Sequence, residues 1–376
     1  MILVILLIIL GLLNFLLKRS RFVFTISAIL MWTIMAFTYG NADELIYISR
    51  YQNTAKWQGS SELLFTAIIN ICRVIGLNFT QYKSVLSLIY IVLVSTTIWK
   101  LSRYPNIVIT LFFFYPFVMN VSQLRFGIAS AVLIYSYRYL LHDKSLRIGN
   151  AKRNITENDI KFVVCVIIAS LLHSVAIYWL LLLIPKKTTV RTTTIWMIGI
   201  NLFVVTAFNP SIANGVLSKL GAGLRMGAYF SSAYQTSTYR HYGGALISTL
   251  LIGAIIWLLC LLIRKNECLF RFTDDVEELM KCNIMLLTVV SFILRFTSEM
   301  YRPQEALTLM AYIVLTNAIT EAEFLRLKIE LRNFITQAGI FALVATNFYT
   351  KIIMYNCEAL WIPIFTNSYL FTHGVS

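Results

Sequence analysis

The run FVVCVIIASLLHSVAIYWLLLLI, residues 162–184, decides how this chain folds. As one helix its 23 residues rise about 35 Å, enough to cross a bilayer once. Broken near His173, the same run becomes two half-helices that enter and leave on one side. The flanking charges separate the two readings, because Lys and Arg collect in cytoplasmic loops. With no net crossing here and the N-terminus outside, the inner segments hold more than twice the Lys and Arg of the outer ones. With a single crossing, PKKTTVR (185–191) lands outside and every later loop inverts. The hairpin is the expected arrangement.

Working outward, the whole chain has the same character. It is 58% hydrophobic and 13% charged over 376 residues, with a mean hydropathy of +0.74. A soluble domain carries roughly 25% charged residues. Lipid offers the backbone no hydrogen-bond partners, so the apolar runs must be helices. Besides 162–184, spans are expected at about 1–17, 22–39, 84–99, 106–120, 123–141, 195–209, 246–263, 283–300, 305–320 and 333–350. The start, MILVILLIILGLLNFLLKRSR, has no basic n-region and no small-residue cleavage site, and reads as a first spanning helix.

The expected fold is an all-α polytopic membrane helix bundle of about 10–12 spans, counting the hairpin. It forms a single transmembrane domain over 1–376. Two long outward loops, about 40–83 and 210–245, and an outward tail, 351–376, complete it. Within the first loop, 63–78 is amphipathic and suited to lie at the interface. The formal charge of +15 fits basic loops at a lipid surface, and no compact basic patch interleaved with aromatics points to nucleic acid. The cysteines show no CxxC or Cys/His spacing, so no metal site is expected.

Few charged residues are left for chemistry on the outer side. Arg125 opens the span SQLRFGIASAVL (122–133). It either snorkels to the interface or turns inward as a phosphate-gripping guanidinium. Gly127, Ala129, Ser130 and Ala131 favour the inward reading, because small residues mark helices packed on helices. In LRFTSEMYRPQEAL (294–307), Arg295 and Glu299 are spaced to pair, while Arg302 sits at the turn as the better ligand candidate. Pro303 suits the start of the next helix. His173 is either a packing residue or, at a hairpin tip, part of an outward cavity. Asp43, Tyr47 and Tyr51 share one face if their segment is helical.

The order NADELIYISRY (41–51), SSELLFTAIINICRVIGL (60–77), SQLRFGIASAVL and SLLHSVAIYWLLLLIP (170–185) resembles the EpsG/Wzy-type polysaccharide polymerases of bacterial envelopes. Asp43, Tyr47, Glu62, Arg125 and His173 match that pattern. Departures include Phe126, where the family often has Gln, and Val175, where it often has Ser. The resemblance implies a membrane glycosyltransferase at the outer face of the bacterial cytoplasmic membrane. Its substrate would be a polyprenyl-diphosphate-linked oligosaccharide, with a flippase and a chain-length regulator of the same pathway as partners. Arg125 and Arg302, assisted by Arg225 or Arg240, would then bind diphosphate. Asp43, Glu62 and His173 compete for the role of base, and no cofactor or metal is expected.

Two alternatives stand beside it. A membrane-bound O-acyltransferase would use His173 as base, but no Asn/Asp partner motif is evident. A lipid-linked oligosaccharide flippase would show repeated halves with interrupted helices, and none is evident.

Overall fold

The computed structural model describes residues 2–54, 62–141, 156–209, 239–264, 273–296, 298–319 and 327–369. Regular structure among them is helical. The chain begins with α1 (Ile2–Leu16), α2 (Arg21–Phe37), the short α3 (Glu44–Gln52) and α4 (Leu63–Val74), then α5 (Phe79–Leu101). Next come α6 (Pro105–Phe112), a π turn (Phe113–Phe117), α7 (Val118–Ser122), α8 (Leu124–Tyr135) and α9 (Tyr137–Leu140). After α10 (Glu157–Leu172), a 3-10 segment (Ser174–Leu182) leads into α11 (Leu183–Lys187) and α12 (Val190–Thr206). The rest comprises α13 (Tyr239–Arg264), α14 (Thr273–Leu286), α15 (Val289–Arg295), α16 (Arg302–Ala318) and α17 (Leu327–Phe348). A second π turn (Tyr349–Ile353) then precedes α18 (Met354–Leu360) and α19 (Ile362–Thr366).

This is an all-α membrane helix bundle. Among the described residues, Phe79–Leu101, Pro105–Ser122 and Gly243–Arg264 are each long and apolar enough to cross a bilayer. Asn333–Ile353 and Cys357–Thr366 pass together as a pair bent by 95°. Several expected spans are kinked or shortened. The one at 106–120 breaks at Tyr115, whose extended backbone (φ −161, ψ 134) precedes Pro116. Proline disfavours helical backbone in the residue before it and removes a helix donor. The one expected at 283–300 is divided between α14 and α15.

The run 162–184 folds as the hairpin. His173 leaves the helix with φ −150 and ψ 118. Lys186 and Lys187, at the end of α11, then pair with Asp159 near the start of α10, at 2.7 and 3.0 Å. A continuous helix from 159 to 186 would hold those charges about 40 Å apart. A capping box between Thr156 and Asp159 starts α10, and Lys186 also donates to the Tyr139 carbonyl (2.9 Å).

These contacts define two ends of the bundle. One is basic, with Arg19 on the Ser102 carbonyl (3.2 Å), Lys186 near Tyr139, and Asn317 at the end of α16 on the Leu101 carbonyl (2.8 Å). The other gathers the starts of α3, α8 and α16 with the hairpin tip. Between them α16 is a central pillar, buried from Pro303 through Ala318. The small face of α8 is buried as expected. A Cβ on Gly127 would stand 3.3 Å from the Asn120 carbonyl oxygen, so α8 and α7 approach closely here.

The chain's last described residues close this second end. Tyr39 donates to the Asn367 carbonyl (3.2 Å) and Tyr369 to that of Phe37 (2.9 Å). Gly40 sits at φ +76, where a Cβ would lie 2.8 Å from the Asn367 amide, so glycine is needed. On α4, Phe65, Ile69 and Cys72 face inward. Leu63, Ile71 and Val74 stay exposed, as suits a helix lying at an interface.

Candidate active site

Asp43 is the N-cap residue of α3, and Tyr47 follows one turn later. The Arg125 backbone N–H, in the first turn of α8, points at the Tyr47 hydroxyl (3.4 Å). The Arg125 guanidinium lies 5.5 Å over the Tyr47 ring and donates to Glu62 Oε2 at 2.8 Å. Arg125 therefore turns into the bundle instead of snorkelling.

Glu62 is fully buried, and the same Oε2 also accepts from Arg50 Nη1 at 2.8 Å. Arg50, 1% exposed, is further fixed by Thr66 Oγ1 (3.0 Å) and lies 5.0 Å over Phe65. A carboxylate oxygen gripped by two guanidiniums is a poor proton acceptor, since protonation would undo both charge-assisted bonds.

The second half of the site is built on α16 and the hairpin tip. Arg302 Nη1 lies 3.3 Å from His173 Nε2 and pairs with Glu299. The His173 ring meets Phe126 edge-on at 5.5 Å, and Arg302 sits 5.9 Å over the same Phe126. Phe126, the residue after Arg125, is thus the wall shared by Arg302 and His173. Arg295 donates to the carbonyls of Val204 and Val205 (2.5 and 2.8 Å) at the end of α12.

Asp43 connects the halves. Its half-buried carboxyl is pushed above the ordinary range by burial, while Arg302 and Arg125 pull it back and Glu299 pushes it up. The arrangement offers two cations for an anionic group, and near both a carboxyl whose proton affinity is raised by burial.

Six residues singled out from sequence, Asp43, Tyr47, Glu62, Arg125, His173 and Arg302, converge here. Arg225 falls outside the described residues, as does the side chain of Arg240. Sequence reasoning assigned no role to four participants: Arg50, Phe126 as a shared wall, and Glu305 with Lys351 near Arg302. Glu305 is 2% exposed and acts electrostatically on Arg302, Lys351 and Tyr115. Lys351 Nζ lies 3.7 Å over the Tyr301 ring. The one available signal for Glu305 was its i,i+3 spacing from Arg302.

Among families of known proteins, the model of the EpsG family matches residues 21–366. Comparison with curated proteins and with solved structures returned no match.

Proposed function

Because the chain belongs to the EpsG family and is an integral membrane polysaccharide polymerase in general terms, we propose that it joins polyprenyl-diphosphate-linked repeat units. The reaction takes place at the outer face of the bacterial cytoplasmic membrane. The observation that carries this reading is the meeting of Arg125, Arg302 and Asp43 at one end of the bundle, opposite the basic end. By the positive-inside rule the basic end is cytoplasmic, which turns the site outward.

In this reading Arg125 and Arg302 grip the diphosphate. Asp43 accepts the proton of the acceptor sugar's hydroxyl, and that oxygen bonds to the donor's anomeric carbon. The bond from that carbon to the diphosphate oxygen breaks, and its electron pair leaves with the diphosphate. Fixed guanidiniums aimed at this developing charge stabilise the transition state without reorganising. Glu62 holds Arg125 in place, and His173, as a neutral acceptor, orients Arg302. Asp43 suits the base because, unlike Glu62, its carboxyl is partly exposed, and burial raises its proton affinity.

The test is the surface-glycan ladder of a deletion strain complemented with variants. Wild type restores long chains, and Arg125→Ala or Arg302→Ala leaves single repeat units at the surface. Full restoration by Arg125→Ala overturns the assignment. Retention of the units inside the cell would indicate a flippase.

A further inference from the structure

Away from the charged site, an apolar groove of about 330 Å³ runs between α1, α2, α6 with its π turn, and the Trp361–Phe365 segment. It follows α1 from Val4 to Asn14, a helical rise of about 15 Å. Its α1 rim, Val4, Ile8 and Leu12, is exposed on the molecule's flank. The deep end stops at a buried polar pair, where Asn14 Nδ2 donates to Ser27 Oγ at 2.9 Å. The groove therefore opens sideways to lipid and has a closed floor.

One wall leads to the reaction site. Phe113 and Phe114 of the first π turn line the groove. The next residue, Tyr115, interacts with Glu305, which stands one helical turn from Arg302. The same kink thus presents rings to the groove and a phenol to the buried polar cluster under the arginines.

We propose that this groove binds the head-proximal isoprene units of the carrier lipid while its diphosphate lies at Arg125 and Arg302. The proposal rests on the polymerase reading and adds a recognition site for the chain itself. A groove with Phe15, Phe113, Phe114, Trp361 and Phe365 in its lining suits one linear, methyl-bearing run of isoprene units. A membrane phospholipid, with two acyl chains and a headgroup at the bilayer surface, has no reason to extend from this wall towards the arginines. The site would then measure the tail as well as the head, so a donor with a truncated tail loses that part of its affinity.

Gly11 makes the idea testable. It lines the groove, and a Cβ built there meets nothing within 4 Å, so a side chain can start into the groove from this position. The full chain in proteoliposomes is given two synthetic donors carrying the same repeat unit, one on a long polyprenyl diphosphate and one on a methyl diphosphate, which has no chain to enter the groove. Gly11→Phe should raise KM for the long donor about tenfold (about 1.4 kcal/mol), with kcat and the short donor's kinetics unchanged. Equal losses on both donors, or no loss on either, overturn the proposal.

A second measurement does not depend on turnover. A photoreactive long-chain polyprenyl diphosphate should label Ile8 and Trp361 in wild type, and unlabelled polyprenyl diphosphate should compete while phosphatidylglycerol does not. Equal competition by the phospholipid makes the groove an ordinary lipid contact and overturns the proposal. Wild type that labels at the groove yet elongates neither donor would remove the polymerase reading and leave the groove standing.

Discussion

Replacing Arg50 by Met removes a buried charge that stands behind the guanidinium proposed to hold the ligand. Arg50, Glu62 and Arg125 share one carboxylate oxygen through two bonds of 2.8 Å. The buried triad therefore carries a net charge of +1. Without Arg50, Glu62 is balanced by Arg125 alone and the net falls to zero, although the guanidinium proposed to face the ligand is intact. At about 8 Å and an effective dielectric of about 20, one unit of charge acts on each unit of ligand charge with about 2 kcal/mol. Pyrophosphate carries more than one negative charge, so Arg50→Met should weaken its binding to purified protein by at least about thirtyfold. The loss should shrink in high salt to the extent that the site is solvated. Adding Glu62→Gln restores the net +1, and the double variant should recover most of the affinity. Thermal unfolding of each variant separates charge from folding, since breaking a buried pair costs about 3–5 kcal/mol. A double variant that binds no better than Arg50→Met would refute the reasoning and reduce Arg50 to packing.

The remaining expectations follow the same geometry. His173→Gln keeps an acceptor for Arg302 and should retain most activity. His173→Leu forfeits a hydrogen bond to a charged group worth about 1.5–3 kcal/mol, and should lose about tenfold or more in kcat/KM. If Asp43 is the base, kcat/KM rises with pH as it deprotonates, on a limb displaced upward from the ordinary carboxyl value of 3.8 by burial. Asp43→Asn should abolish that limb and lower the rate about 10²- to 10⁴-fold, and an unchanged pH profile would assign the proton to another group. Chain elongation by purified enzyme should persist in a chelator, because guanidiniums supply the positive charge in this reading. Strict dependence on an added divalent cation would count against it.

Much of this architecture was written in residue types alone. The helical class followed from long apolar runs, and the hairpin from basic residues on both flanks of 162–184, which Lys186, Lys187 and Asp159 bear out. No Gly or Pro lies within that run to mark the break. His173 is held there by Arg302 and Phe126, contacts that no local pattern announces. Arg125 and its small neighbours pointed inward from sequence. Arg50 did not stand out, since a loop arginine looks like any other until Glu62 and Thr66 are placed against it. Glu62 was legible as an acid of the site but not as a clamp, because pairing with two distant arginines is a tertiary fact. Lys351 lay in what read as an outward tail. It becomes part of the bundle only because the chain bends by 95° there and returns to residues 37–39.

The central claim is that the Arg125–Arg302 end of the bundle transfers sugar from a lipid diphosphate. The most direct measurement gives purified full-length protein, in proteoliposomes, a polyprenyl-diphosphate-linked repeat unit and counts the polyprenyl diphosphate released for each linkage formed. Wild type should release one for each new glycosidic bond, and Arg125→Ala and Arg302→Ala should release none above background. Polymer formed without release of the lipid diphosphate, or undiminished release by both variants, would contradict the account.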